Sequence, residues 1–320
     1  MLGAGVIGAV KDITVAQGLG ALGAGLAVGL AAVSAIGQGI AAAAGVGAVG
    51  EDKKAFGKSI LFSVLPETQA LYGFIISILI LIGMGLFGAV KGSIGLVVGW
   101  AAIGAGLAAG IAGLSAIGQG IAAAAGVGAG LERPKSFGKS ILFSVLPETQ
   151  ALYGFIVAIL ILIGFGVLGV PREGLPLGLG MFAIAAGLSV GLAAVSAIGQ
   201  GIAAAAGISA TASNDKMFGK SILFSVLPET QALYGFLVAI LLLVGGGVIG
   251  AVKAGLTSAV GTIAIGAGLA VGLAAISAVG QGMSAASGIG AVSEKKSMFG
   301  KSIIFSIIPE TQALMGFLIA

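Results

Sequence analysis

The amino-acid sequence predicts an all-α membrane protein of four tandem transmembrane helical hairpins, in which eight helices assemble into a ring. Three observations predict this fold class. First, 58% of the 320 residues are hydrophobic and 8% are charged, whereas a soluble domain carries about 25% charged residues. Second, the same sequence markers recur at one fixed period. Third, every repeat contains two apolar segments longer than the ~20 residues that cross ~30 Å of hydrocarbon.

The repeat is marked by a glutamate and a glutamine. The stretch "LPETQALYGF" occurs three times and "IPETQALMGF" once, and a "GQG" tripeptide lies upstream of each. In every copy the glutamate follows the glutamine by 29 residues. A spacing held through two helices and a loop indicates four copies of one structural unit. The glutamines are Gln38, Gln119, Gln200 and Gln281, and the glutamates are Glu67, Glu148, Glu229 and Glu310, with 81 residues between consecutive copies.

Each unit is predicted to be a hairpin of one Gly/Ala-rich odd helix and one Ile/Leu/Phe-rich even helix. In the first unit we expect helices at about 14–46 and 58–90. The odd helices carry small-residue motifs such as Gly25-x-x-x-Gly29, which let membrane helices pack closely. The odd helices are therefore expected to form the inner layer, with the bulkier even helices outside. The predicted hairpins span 1–90, 91–171, 172–252 and 253–320, and the last helix of the fourth is expected to be incomplete.

The distribution of lysine and arginine predicts the orientation in the membrane. The odd-to-even loops carry eleven of the 15 basic residues, and the opposite side carries Lys11, Lys91, Arg172 and Lys253. Positive charge concentrates on the cytoplasmic side, so we expect a multi-pass cell-membrane protein with cytoplasmic odd-to-even loops. No basic stripe interleaved with aromatic residues occurs, so a nucleic-acid partner is not expected.

The ends of the chain do not coincide with repeat boundaries. The segment 3–11, "GAGVIGAVK", matches 245–253, "GGGVIGAVK", which is the predicted end of an even helix. Ala320 aligns with Ser77, in the middle of an even helix. Two interpretations stay open: a segment of a longer tandem array, or an N-terminus of its own with an incomplete last helix.

Three other kinds of site are excluded by residue type or spacing. The Gly-rich stretches lack the preceding strand that a dinucleotide-binding fingerprint needs. The "FGKS" stretches resemble the end of a phosphate-binding loop, but the required upstream glycine is replaced by Asp52, Arg133, Asn214 and Lys295. Cysteine and histidine are absent, and nothing resembles a hydrolytic site. We expect a non-catalytic protein.

The repeated glutamates are the candidate functional residues. An acidic side chain at the centre of a membrane helix costs about 2.5–3.5 kcal/mol on insertion scales, so intramembrane carboxylates usually have a function. Pro66 precedes Glu67 and removes a helix donor. Backbone carbonyls near Phe62 to Leu65 are therefore expected to be available to coordinate an ion. Tyr72 is expected to close the group around Glu67 with its hydroxyl, and the equivalents in the next two hairpins are Tyr153 and Tyr234.

The oxygen atoms around each glutamate predict the ion. One carboxylate with hydroxyl, amide and carbonyl oxygens, and no imidazole or thiolate, is a shell for a hard cation. A single negative charge suits a monovalent ion, and the surplus neutral oxygens favour Na⁺. A proton needs only the carboxylate, so H⁺ stays open as the alternative.

These residues resemble a known family. The Gly-rich odd helices, "AIGQGIAAAAG", the polar loop and "LPETQALYGF" are similar to the membrane-rotor proteolipid (the c or K subunit) of archaeal and vacuolar-type rotary ATPases. The resemblance implies a ring of hairpins that carries Na⁺ or H⁺ past a stator subunit with an arginine, contacts central-stalk subunits and lipid, and couples ion flow to ATP synthesis or hydrolysis. A self-contained channel or secondary transporter is the alternative, although transporters commonly show inverted repeats.

The resemblance also implies a ligand set for each hairpin, with the reservation that one site can take residues from two neighbouring hairpins. The implied sets are Glu67, Thr68, Gln69, the Leu65 carbonyl and Gln38; Glu148, Thr149, Gln150, Leu146 and Gln119; Glu229, Thr230, Gln231, Leu227 and Gln200; and Glu310, Thr311, Gln312, Ile308 and Gln281.

The sequence departs from the family's common patterns in two places. All four hairpins keep their glutamate, whereas many vacuolar-type members have lost one of two. Met315 stands where the other copies have a tyrosine, and we expect this to weaken closure of the site at Glu310.

Overall fold

The structure is a computed structural model that describes residues 13–88, 94–170 and 172–320. Within these ranges the chain forms helices and no strands, and eight of the helices are long and apolar enough to cross a membrane. The protein is therefore a multi-pass membrane protein made of four tandem hairpins. The N-terminal match at 3–11 and the predicted hairpin boundaries at 90/91 and 171/172 fall wholly or partly outside the described residues.

Each odd helix consists of two α-helical pieces joined by a two-residue turn. The first odd helix extends to Glu51, five residues beyond the predicted end, because the apolar residues before it continue the helix. It ends where Asp52 adopts an extended conformation and its side chain accepts from the Lys54 N–H. The upstream pieces are Val15–Ala31, Leu96–Ala112, Leu177–Ala193 and Ser258–Ala274, and the downstream pieces are Ser34–Glu51, Ser115–Glu132, Ser196–Ser213 and Ser277–Glu294.

Each even helix is interrupted at the Pro-Glu pair. In the first two hairpins a short 3₁₀ turn, Leu65–Glu67 or Leu146–Glu148, separates the two pieces, because proline cannot donate to the preceding helical turn. The first even helix ends at Gly83, seven residues before the predicted 90, and the left-handed Gly85 (φ 66°) follows. The upstream pieces are Phe56–Val64, Phe137–Val145, Phe218–Val226 and Phe299–Ile307, and the downstream pieces are Thr68–Gly83, Thr149–Gly164, Glu229–Gly246 and Glu310–Ile319.

The odd helices lie side by side in one closely packed layer, in the order of the hairpins. The "GQG" motif is where their backbones approach most closely. A Cβ atom at Gly118 would overlap the carbonyl of Ala197, and one at Gly120 would overlap the carbonyl of Gly37. The glycines of this motif are therefore required by the separation of neighbouring helices.

The even helices form a second, looser layer that interlocks with the first. Phe62 of hairpin 1 is fully buried and packs where Gly126 of hairpin 2 has no side chain. Phe143 packs against Gly207 in the same way, and Phe224 packs against Gly288. Each of the first three even helices thus occupies the groove between its own odd helix and the next one. The odd helices thus form the more closely packed layer and the even helices the looser one.

Candidate ion-binding sites between neighbouring hairpins

The even helix directs its polar residues to two opposite sides. At about 100° per residue, Gln69 and Tyr72 lie roughly 200° and 140° around the helix from Glu67. One helix therefore faces two interfaces: its glutamate contributes to one, and its glutamine and tyrosine contribute to the next.

The group around Glu148 illustrates the arrangement. Its Oε2 accepts a hydrogen bond from Gln119 Nε2 of the same hairpin at 3.2 Å. Its Oε1 accepts a hydrogen bond from the Tyr72 hydroxyl of the preceding hairpin at 2.8 Å. The carboxylate therefore lies between two hairpins and is held by a donor from each.

The same group is built at two further interfaces. Glu229 accepts from Gln200 at 3.1 Å and from the Tyr153 hydroxyl at 2.8 Å. Glu310 accepts from Gln281 at 3.2 Å and from the Tyr234 hydroxyl at 2.7 Å. Three interfaces therefore reproduce one geometry.

A pair of glutamines completes the inner side of each group. Gln69 Nε2 donates to Gln119 Oε1 at 2.6 Å, and the corresponding bonds from Gln150 to Gln200 and from Gln231 to Gln281 are both 2.7 Å. All six of these side chains are fully buried. A buried amide is stable only when it is hydrogen-bonded, so these pairs fix both the position of the glutamine and the register of neighbouring hairpins.

The threonine and the residue before the proline supply the remaining oxygens. The Thr68 hydroxyl lies within hydrogen-bond distance of two acceptors, the Leu65 carbonyl at 3.2 Å and Gln69 Oε1 at 3.1 Å. The Leu65 carbonyl also accepts the Thr68 N–H. This carbonyl is therefore already hydrogen-bonded, and not free as the preceding proline suggested.

The threonines of the other hairpins make related contacts. In hairpin 2 the Thr149 hydroxyl reaches Glu229 Oε1 at 2.9 Å. The remaining threonines repeat the bond to the carbonyl, from Thr149 to Leu146, Thr230 to Leu227 and Thr311 to Ile308.

The structure corrects two expectations about hydroxyl closure. Tyr72 does not close the group around Glu67, because its position on the helix directs it to Glu148 in the next hairpin. Met315 does not affect the site at Glu310, because that carboxylate accepts from Tyr234 of the preceding hairpin. Each implied ligand set is likewise divided between two interfaces, which is the alternative left open by the sequence.

Phenylalanines that the sequence did not single out hold the tyrosines. Tyr72 lies 5.3 Å from Phe155, Tyr153 lies 5.1 Å from Phe236, and Tyr234 lies 5.3 Å from Phe317, measured between ring centroids. Each phenylalanine belongs to the hairpin whose glutamate the tyrosine contacts. The signal in the sequence is the 81-residue recurrence of "YGF", in which the tyrosine and the phenylalanine of one copy face different neighbours.

The outermost copies present half of the group. Gln38 Nε2 lies 3.5 Å from Glu67 Oε2, and Glu67 is exposed. At the other side of the assembly, Thr311 and Gln312 are exposed, whereas Gln69, Gln150 and Gln231 are buried. The described residues thus contain three groups completed across an interface, one carboxylate without the preceding hairpin, and one set of neutral oxygens without a following carboxylate.

Comparison with known proteins identifies the family. The profile of the family of the ATP synthase C subunit matches four segments, at residues 22–80, 103–161, 184–242 and 265–320. Each segment contains one of the repeated glutamines and one of the repeated glutamates. The chain belongs to the ATP synthase C-subunit family.

Named relatives of this C-subunit chain are membrane subunits of A-type and V-type ATPases. It is 51% identical over 226 residues to the A-type ATP synthase K subunit of Methanocaldococcus jannaschii, a match that covers 70% of this chain and 96% of the relative. It is 36% identical over 141 residues to the V-type sodium ATPase K subunit of Enterococcus hirae, covering 41% and 86%. It is 35% identical over 111 residues to the V-type proton ATPase 16 kDa proteolipid c subunit of Ovis aries, covering 34% and 68%.

These relatives, together with the eight apolar helices in the described ranges, make this chain a membrane proteolipid of the A/V type. In this C-subunit chain, each completed group contains one carboxylate and a hydrogen-bonded pair of glutamines, and in the Glu229 group the Thr149 hydroxyl also reaches the carboxylate. The tyrosine hydroxyl and the glutamine N–H donate to the carboxylate. Such a group can hold one small cation or one proton.

Proposed function

We propose that this protein is the ion-carrying part of a rotor ring, and that each glutamate carries one Na⁺. The observation that supports the proposal is the triply repeated group of Glu148, Glu229 and Glu310, each completed by two hairpins. A structural acid that only joins helices requires one good hydrogen bond. Here a tyrosine hydroxyl from the preceding hairpin and a glutamine amide from the same hairpin both donate to the carboxylate at three equivalent interfaces.

The number of neutral oxygens favours Na⁺ over H⁺. Hard cations bind carboxylate, hydroxyl, amide and carbonyl oxygens. The Thr149 hydroxyl lies 2.9 Å from Glu229 Oε1 and also bonds the Leu146 carbonyl. Gln200, which donates to Glu229 through Nε2, carries the amide oxygen that accepts from Gln150. One negative charge is neutralised by one monovalent ion. The relatives include both a sodium ATPase and a proton ATPase by name, so the choice depends on the ligand chemistry of this chain.

The mechanism follows from the cost of charge in lipid. An ionised carboxylate at the membrane centre is unfavourable by several kcal/mol, so the ring turns through lipid with its sites loaded. At the stator, an arginine of another subunit stabilises the empty carboxylate, and the ion leaves to one side and is replaced from the other. The membrane potential contributes about 2.3 kcal/mol per charge per 100 mV.

The odd-to-even loops are the proposed contact with the central stalk. They carry most of the lysines and arginines, so we propose, by the positive-inside rule, that they lie on the cytoplasmic side. Neighbouring loops are joined by the Lys139–Asp215 ion pair and by lysines stacked on the next hairpin's phenylalanine, for example Lys58 at 5.5 Å from the Phe137 ring centroid. A stalk subunit would therefore meet a continuous polar surface.

Carbodiimide labelling tests the ion assignment. Carbodiimides react with protonated carboxyls, so a cation bound at Glu148, Glu229 or Glu310 slows the reaction. We expect Na⁺ to slow labelling at fixed pH, with K⁺ at the same ionic strength as the control, and fragment mass spectrometry as the readout. Labelling that responds to pH but is unchanged by Na⁺ would assign the sites to H⁺.

A self-contained channel or secondary transporter is tested separately. The repeats run parallel and each contains two helices, whereas many transporters are built from inverted repeats. We expect liposomes containing the purified protein alone to show no Na⁺ flux under an applied potential. Flux that is lost in Glu229→Gln would support the channel interpretation against the rotor.

A further inference from the structure

A serine in the odd helix of hairpin 3 makes a contact that the other hairpins cannot make. The Ser189 hydroxyl donates to the Gly235 carbonyl oxygen at 2.7 Å, and both residues are buried. The bond joins the odd helix of this hairpin to its even helix. The repeat equivalents of Ser189 are Ala27, Ala108 and Ala270. Because alanine has no hydroxyl, this bond is confined to hairpin 3.

The bond lies where the two helices of the hairpin approach each other most closely. A Cβ atom at Gly235 would overlap the Ala193 side chain and lie 2.7 Å from the Ser189 backbone oxygen. A carbonyl oxygen has two lone pairs, so the Gly235 carbonyl can accept the serine hydroxyl as well as an N–H of its own helix. The close approach recurs in the other hairpins, at Gly73, Gly154 and Gly316. Hairpin 3 adds a hydrogen bond to a contact that all four hairpins share.

The bonded glycine lies between two aromatic residues that belong to different carboxylate groups. Gly235 follows Tyr234, whose hydroxyl donates to Glu310 at 2.7 Å. It precedes Phe236, which stacks on the tyrosine that donates to Glu229. A restraint on this glycine therefore acts on one ring in each of the two groups beside hairpin 3.

The Glu148 group contains no aromatic residue from hairpin 3. Its ring pair is Tyr72 of hairpin 1 and Phe155 of hairpin 2, and these rings are tilted by 37°. In the other two groups the ring pairs are stacked, with interplanar angles of 29° and 28°. The two groups with the more nearly parallel rings are thus the ones that include a residue adjacent to the glycine bonded by Ser189.

We propose that Ser189 is a positioning residue that strengthens ion binding at Glu310 and, more weakly, at Glu229. The bond holds the even helix in place before the ion arrives, so less conformational freedom is lost on binding. Glu310 takes its hydroxyl donor from the residue next to Gly235, whereas Glu229 depends on hairpin 3 only for the ring that packs on its donor. Glu148 is independent of the bond. This inference rests on the proposed function, because it assumes that the carboxylates bind a cation.

Residue-resolved carbodiimide labelling of Ser189→Ala tests the order of these effects. A hydrogen bond between membrane helices corresponds to about a threefold change in an equilibrium constant, so we expect about threefold more Na⁺ for the same protection of Glu310. The change at Glu229 should be smaller, and protection of Glu148 should stay at the wild-type level. General loosening of the protein would affect all three glutamates alike. An equal change at all three, or no change at Glu310, overturns the proposal.

The reverse substitution, Ala108→Ser, should move the pattern by one hairpin. It places the hydroxyl in hairpin 2, where a Cβ at Gly154 would likewise meet the backbone oxygen of the odd helix. We expect stronger Na⁺ protection of Glu229, a smaller gain at Glu148 and no change at Glu310. A change at Glu310, or no gain at Glu229, would show that a serine at this position does not position the tyrosine of its own hairpin.

Thermal unfolding in detergent without Na⁺ tests the bond independently of the ion. Ser189→Ala should lower the unfolding midpoint, because a buried carbonyl loses a donor. Ser196→Ala is the matched control: this serine is also fully buried in the odd helix of hairpin 3, but its hydroxyl has no partner among the described residues, so its removal should not lower the midpoint. Equal losses in the two variants would overturn the assignment of the bond.

The two proposals fail in different ways. If Na⁺ protects none of the glutamates in the wild type, the sodium assignment fails. The positioning role is then read from the labelling rate at fixed pH without Na⁺, in which Ser189→Ala should still alter Glu310 most and Glu148 not at all. A rate that is unchanged at Glu310 would overturn the role of Ser189 as well.

Discussion

The hydroxyl of Tyr153 lies 2.8 Å from Oε1 of Glu229, a carboxylate 76 residues later in the next hairpin. Glu148, five residues before Tyr153 on the same helix, belongs to a different group and is held by Tyr72. The even helices of hairpins 2 and 3 therefore each contribute to two carboxylate groups. A substitution on an even helix should therefore affect either the glutamate of its own hairpin or the glutamate of the next hairpin, depending on which side of the helix carries the substituted residue.

Replacing Tyr153 by phenylalanine should weaken the site at Glu229 and leave Glu148 unchanged. The substitution removes one hydrogen bond to a charged group, which is worth about 1.5–3 kcal/mol, and keeps the ring that stacks on Phe236. We expect at least roughly tenfold less Na⁺ protection of Glu229 in carbodiimide labelling. Tyr72→Phe is the matched control and should move the effect to Glu148. Loss of protection at Glu148 in the Tyr153 variant would show that the groups are not built as described.

The repeat, the hairpins and the polar residues were predictable from the sequence because a fixed 81-residue spacing requires equivalent environments. The division of each ligand set was not settled by the sequence. The family resemblance places Glu67, Thr68 and Gln69 together because they are adjacent in the chain. Their separation follows from the helical angle: the glutamine lies roughly 200° from the glutamate, so the two cannot face one neighbour. The same angle assigns Tyr72 to Glu148.

Helix ends were predicted less well, for a local reason. The apolar pattern continues through "GMGLFGAV", which suggested a helix to residue 90, but the chain leaves the helix at Gly83 and takes left-handed conformations at Gly85 and Gly88. In a Gly-rich membrane sequence, most glycines serve close helix packing and a few end helices. Hydropathy alone does not separate the two uses.

Replacing Gln200 by leucine should destabilise the packing of hairpins 2 and 3. The variant removes the acceptor for the buried Gln150 amide at 2.7 Å and the donor to Glu229 at 3.1 Å. An unsatisfied buried donor costs about 1–3 kcal/mol, so we expect a lower midpoint of thermal unfolding in detergent. In the double variant with Gln150→Leu, the unsatisfied amide is gone, and the loss should be smaller than the sum of the two single losses. Additive losses would argue against a direct bond.

Replacing Phe236 by leucine tests whether ring stacking positions the tyrosine. The Tyr153 and Phe236 rings are stacked with centroids 5.1 Å apart, and leucine keeps the apolar contact without the flat face. We expect a fall in Na⁺ protection of Glu229 that is smaller than that of Tyr153→Phe, because the hydroxyl is still present but less well oriented. Combining Phe236→Leu with Tyr153→Phe should add nothing further at Glu229. A further fall in the combined variant would assign Phe236 a role independent of the tyrosine.

Replacing Gly120 by alanine should disturb the layer of odd helices more than the same replacement at an exposed glycine. The added Cβ would overlap the carbonyl oxygen of Gly37 in the preceding helix, and backbone cannot yield as a flexible side chain can. Overpacking of this kind costs about 1–3 kcal/mol, and the displaced helix also moves the neighbouring Gln119 away from Gln69. We therefore expect a lower unfolding midpoint together with weaker Na⁺ protection of Glu148.

Gly128→Ala on the same helix is the matched control for Gly120→Ala. A Cβ at Gly128 meets no atom within 4 Å, and replacing a helical glycine by alanine should stabilise the protein by about 0.5–1 kcal/mol. Equal effects of the two substitutions would mean that helix propensity, and not the approach of neighbouring backbones, accounts for the glycines of the "GQG" motif.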